Sequence, residues 1–131
     1  MQSAGLQGGA RREKLKEAEE MLKASLNLAP KNAFNLGALG DVFGKQAKGL
    51  EGEARREKLK EAEETLRASL DLKPKSAFWL KSLVGVYKLQ ATGLKGEAFR
   101  KKLIEAEDTL KASLDVAPKD AFCLGVLGDI Y

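Results

Sequence analysis

Histidine does not occur in this chain, and that omission narrows the chemistry at once. It removes the commonest general base, most zinc sites and any Ser-His-Asp arrangement. Cys123, the single thiol, has no imidazole to activate it. Its place in the first turn of an apolar helical stretch reads as structural. Glu61, Glu63 and Glu64 lie close enough in sequence to suggest paired carboxylates. They flank Ala62, however, among lysines and arginines, the pattern of a solvated helix face. The glycines of "KGLEGEA" (48–54) and "TGLKGEA" (92–98) have neither the spacing nor the following Lys-Ser/Thr of a phosphate loop, so they read as turns. The expectation is a non-enzyme with no cofactor and no metal.

Charge points the same way. Lysine and arginine number 23 against 19 aspartates and glutamates, a surplus of +4. The signs alternate along the chain: Arg11 and Arg12 are followed by acidic residues within two turns. A nucleic-acid footprint needs its basic residues gathered on one face, so no nucleic-acid partner is expected. No apolar run approaches the roughly 18 residues of a membrane span, and "MQSAGLQGG" does not resemble a signal peptide. One cysteine excludes an internal disulfide framework, which favours an intracellular, cytoplasmic setting.

With catalysis set aside, the informative feature is repetition. "LKEAEEMLKASLNLAPKNAF" (15–34) returns as "LKEAEETLRASLDLKPKSAF" (59–78) and "LIEAEDTLKASLDVAPKDAF" (103–122), each 44 residues after the last. Residues 5–48 and 49–92 are identical at 28 of 44 positions, and a third unit, 93–131, follows the same frame and stops early. Such identity reads as recent duplication or deliberate design. A fixed period of this length signals stacked supersecondary units, none of which buries its apolar face alone.

Each unit holds two helical stretches. In the longer, Leu59, Ala62, Leu66, Ser69 and Leu70 recur at three- and four-residue steps among charged residues, which predicts an amphipathic helix over 53–72. Pro30, Pro74 and Pro118 end these stretches. Two residues later stand Asn32, Ser76 and Asp120, different residues that share the chemistry of a helix N-cap. The second stretch then carries Leu36, Leu39, Gly40 and Phe43, with Leu80, Leu83, Val84 and Tyr87 and then Leu124, Leu127, Gly128 and Tyr131 as its copies. Val42, Val86 and Ile130 widen the apolar arc, as do Phe34, Phe78 and Phe122. The predicted helices are 10–28, 33–47, 53–72, 77–91, 97–116 and 121–131, with no strand. The fold class is all-α: an α-solenoid of antiparallel helix pairs, six helices in one domain over 1–131.

These residues resemble the tetratricopeptide repeat. Leu36, Leu39–Gly40 and Phe43 look like that family's first helix, and Ala62, Leu66, Ser69 and Pro74 like its second helix and terminating proline. About ten extra residues, around "GLEGEARREK", separate the helices here. Val84 departs from the small glycine of that pattern, Ser25, Ser69 and Ser113 from its alanine, and Trp79 has no match at Asn35 or Cys123. The resemblance implies a protein-interaction scaffold whose first helices line a concave groove for a peptide or partner protein. Carried over by position, that lining is Phe34, Gly37, Asp41 and Lys45; Phe78, Lys81, Gly85, Lys88 and Leu89; then Phe122, Gly125 and Asp129. Lys81 and Lys88 would draw an acidic partner to the centre.

The alternative expectation is self-assembly. "QSAGLQG" (2–8) aligns with the inter-helix stretches "QAKGLEG" (46–52) and "QATGLKG" (90–96), so residues 2–8 read as loop. Leu15, Leu22 and Leu26 then lack a preceding neighbour, and Leu124, Leu127 and Tyr131 a following one. Two such faces are complementary and would stack head to tail without closing.

Overall fold

The computed structural model describes residues 2–116, which form five helices and no strand. They are α1 (Gln2–Leu28), α2 (Ala33–Lys48), α3 (Gly52–Leu72), α4 (Ala77–Ala91) and α5 (Gly96–Val116). The expected helix 121–131 lies outside the described residues. Elsewhere the predicted boundaries hold to within a residue, except at the start of α1.

Local chemistry accounts for the breaks. At the head of α2 the Asn32 side chain accepts the Asn35 N–H at 2.9 Å, the bond expected of an N-cap. Ser76 occupies the same position before α4 with extended backbone, but its side chain makes no cap bond. There the backbone alone holds the turn: Leu80 N–H donates to the Ser76 carbonyl at 3.0 Å. The turns before α3 and α5 are near copies. Leu50 and Leu94 donate to the Ala47 and Ala91 carbonyls at 3.0 Å, and Gly52 and Gly96 take φ of +58° and +62°, a region that disfavours any side chain.

Residues 2–8 correct the reading made from sequence. They align with those turns, yet they continue α1 as helix, and Gly8 keeps a helical φ. A glycine permits the reversal without imposing it. After α2 and α4 the chain turns because the next helix packs back on the one before and because Leu50 and Leu94 dock half-buried.

The core lies where successive helices meet. α2 packs most extensively on α3, and α4 on α5; α1 lies against α2, α3 against α4, and α2 also touches α4. Leu39 and Phe43 from α2, Leu59, Ala62 and Leu66 from α3, Trp79, Leu83, Val84 and Tyr87 from α4 and Ala106 from α5 form one buried cluster. All but Trp79 belong to the stripes that the helical periodicity marked or are copies of them. Phe34 and Phe78 are the exception: at 69% and 61% exposure they do not join the buried arc.

The sequence period is also a period of contacts. Gln46 Nε2 donates to Glu19 Oε1 at 3.0 Å, and Gln90 Nε2 to Glu63 Oε1 at 3.0 Å. Glu19 pairs with Lys23 at 2.7 Å, and Glu63 with Arg67 at 3.0 Å. Lys58 lies 4.9 Å from the Phe43 ring centroid, and Lys102 lies 5.1 Å from that of Tyr87. Helices α1, α2 and α3 thus share, pair for pair, contacts that recur among α3, α4 and α5.

Candidate functional site

Two depressions concern the residues singled out from sequence. The first is a groove of about 310 Å³ between α2 and α4. Asp41, Lys45, Gly85, Lys88 and Leu89 all line it, so five of the expected lining residues converge. Asp41 takes an ion pair from Lys45 at 3.0 Å and a hydrogen bond from the Ser82 hydroxyl at 3.3 Å. Gly44 and Gly85 face the same space, and a Cβ on Gly85 would meet nothing within 4 Å. Leu89 also packs partly against the core, giving the groove an apolar edge.

The remaining expected lining residues go elsewhere. Phe34 and Phe78 flank Trp79 at the N-terminal ends of α2 and α4, with ring centroids 5.8 and 4.6 Å from its own and edge-on geometry. Trp79 is buried, and a Cβ on Gly37 would fall inside its indole. Gly37 therefore opens no groove; it makes room for the tryptophan. Lys81 is half-buried and engaged in contacts of its own, outside the groove lining. Phe122, Gly125 and Asp129 lie outside the described residues.

Of the residues expected to expose a bare face, Leu22 and Leu26 are half-buried against the core. Leu15 is half-buried too, whereas its copy Leu59 is fully buried. Leu124, Leu127 and Tyr131 lie outside the described residues, as does Cys123.

The carboxylates need one correction. Glu61 and Glu64 are exposed, as a solvated face requires, but Glu63 points inward. It binds Arg67 and Gln90 and receives Lys102 at 3.5 Å from α5, so it ties three helices together. Arg67 donates to the Tyr87 hydroxyl at 3.0 and 2.6 Å. Burial raises the Tyr87 phenol above its ordinary value, and the Arg67 bond works against that rise. In the first unit the Lys23 hydrogen bond holds Glu19 below the usual carboxylate range; burial opposes it, and Gln46 and Lys58 reinforce it. Each of these groups has a structural partner. Among the described residues, no group of three or more His, Cys, Asp or Glu converges as a metal site, and no helix is long and apolar enough to cross a membrane.

The second depression had no counterpart among the sequence expectations. It is a cavity of about 830 Å³ between α1, the C-terminal end of α2 and Lys58 of α3. Its signal was present in the repeat alignment: Lys45 and Lys48 stand where the second unit has Leu89 and Thr92. Another contact that crosses helices, Ser69 Oγ donating to the Ala33 carbonyl at 2.6 Å, explains one departure from the expected alanine. No protein-family model and no curated protein matches the sequence.

Proposed function

We propose that the chain is a non-catalytic protein-interaction scaffold, a tetratricopeptide-like α-solenoid that binds a peptide or partner protein on the face formed by α2 and α4. The observation that carries this reading is the groove between those helices. Asp41 and Ser82 offer directed hydrogen bonding there, Lys45 and Lys88 offer charge, and Leu89 offers an apolar edge. A mixed lining of this kind suits recognition, since polar groups fix orientation while apolar contact supplies affinity. The solenoid reading is supported by the contacts that recur 44 residues apart. A random peptide-display selection on the intact chain tests the function. Selected peptides should lose binding to Leu89→Asp and to Lys88→Glu while the fold, read by circular dichroism, is unchanged. Enriched peptides indifferent to both substitutions would move the function off this groove.

A second reading, head-to-tail self-association, is favoured by one difference: Leu15 is less covered than its copy Leu59. Sedimentation velocity at rising concentration should then show growing species that Leu15→Glu removes. A single concentration-independent species would refute it.

A further inference from the structure

The cavity against α1 is charged in an unbalanced way. Arg11, Arg12, Lys16, Lys45, Lys48 and Lys58 surround it, with Glu19 as the acidic residue in its lining. Glu19 is already engaged by Lys23 and Gln46. Lys45 pairs with Asp41, and Lys58 approaches Glu61 at 3.8 Å. Arg11, Arg12, Lys16 and Lys48 make no ion pair among the described residues, so four cations converge uncompensated. The cavity also has apolar surface, contributed by Leu15 and Leu50, both half-buried.

Arg11, Arg12, Lys16 and Lys58 recur in the next unit as Arg55, Arg56, Lys60 and Lys102, so what sets this cavity apart is Lys45 and Lys48. At the positions of Lys45 and Lys48 the second unit carries Leu89, which packs against the core, and Thr92. The first unit instead has two lysines, and Leu15 remains half-covered where Leu59 is buried. We propose that this cavity is the docking site for an acidic segment of a partner protein, one that seats a bulky apolar side chain on Leu15 and Leu50 while its carboxylates meet the surrounding cations. The proposal rests on the scaffold reading and gives it a partner chemistry. Its volume falls in the range of ligand sites, about 300–1,000 Å³, suited to a few side chains. Glu13, Glu17 and Glu20 interrupt the positive charge along α1, which disfavours a phosphodiester track needing continuous cations. Lys45 and Lys48 also line the α2–α4 groove, so a chain leaving the cavity passes directly onto it.

The test is fluorescence anisotropy of a short labelled peptide of alternating Glu and Leu, in physiological salt, with oligothymidylate and phosphatidylserine vesicles as competing probes. The triple variant Arg11→Gln, Arg12→Gln, Lys16→Gln keeps helix propensity while clearing the α1 wall. It should raise the peptide Kd by about tenfold or more, whereas Lys88→Gln, confined to the groove, should change it by less than about twofold. An all-Glu peptide should bind more weakly than the Glu-Leu one. Absence of saturable peptide binding up to about 1 mM, where binding free energy is slight, would overturn the proposal and leave the display test of the groove standing. Sensitivity to Lys88→Gln without sensitivity to the triple variant would overturn it too, placing the acidic segment in the groove. Tighter, triple-sensitive binding of oligothymidylate or vesicles would reject a peptide as the occupant.

Discussion

Substituting Gly40 by alanine separates close packing from helix propensity, because the two act in opposite directions there. A Cβ built on Gly40 stands 2.6 Å from Leu66 Cγ, 3.1 Å from the Leu66 backbone nitrogen and 3.2 Å from the Ala62 carbonyl oxygen. Carbon pairs are most favourable near about 3.5–4.0 Å, so the first contact is short by about 1 Å. Leu66 is fully buried, and the other two atoms are backbone. Overpacking of this kind costs about 1–3 kcal/mol. Alanine recovers about 1 kcal/mol of helix propensity over glycine. The net expectation is a loss of about 0–2 kcal/mol, with a midpoint of about 1 kcal/mol that lowers Tm by about 4 °C at this chain length. Gly85 supplies the control, since its Cβ meets nothing within 4 Å. Gly85→Ala should therefore raise stability by about 0.5–1 kcal/mol. Urea unfolding with a shared m-value, checked by thermal melts followed by circular dichroism, reads both variants. Gly40→Ala as stabilising as Gly85→Ala would refute the close approach of α2 to α3.

Two further substitutions test contacts between helices. Tyr87→Phe copies Phe43 of the first unit and removes the hydroxyl that accepts from Arg67; it should cost about 1 kcal/mol near neutral pH. Because the folded phenol is raised, the stability it contributes is fully present below the ordinary tyrosine value of about 10 and lost as pH rises through the folded value. The gap between wild type and Tyr87→Phe should narrow in alkaline urea titrations, and a gap that widens would contradict the burial argument. Ser69→Ala should cost about 1 kcal/mol through the lost bond to the Ala33 carbonyl. An unchanged urea midpoint would mean that the hydroxyl merely fills space.

The same architecture fixes how much of the chain could be read unaided. By itself, the sequence determined the all-helical class, the helix breaks near Pro30 and Pro74, the Asn32 cap and the buried stripe of Leu59, Ala62, Leu66 and Ser69. These follow from forces acting within a few residues, and period and capping report such forces directly. The family resemblance, not periodicity, put Asp41, Lys45, Gly85, Lys88 and Leu89 on one face, and these five residues line the α2–α4 groove. Tertiary structure alone decided the rest. Residues 2–8 align with the turns at 46–52 and 90–96 yet form helix, so the composition of such a stretch does not by itself impose a reversal. Gly37 looked like open surface until Trp79, from 42 positions further along, settled on it. Glu63 carries the same local pattern as Glu61, yet α4 and α5 supply the Gln90 and Lys102 that turn it into a crosslink. The cavity at Arg11, Lys16, Lys45 and Lys58 joins three helices, and the charges that alternate along the chain become a mainly positive cluster only when those helices meet. These interactions join segments far apart in sequence, which the three- and four-residue periodicity of a single helix does not report, so the packed helices revealed them.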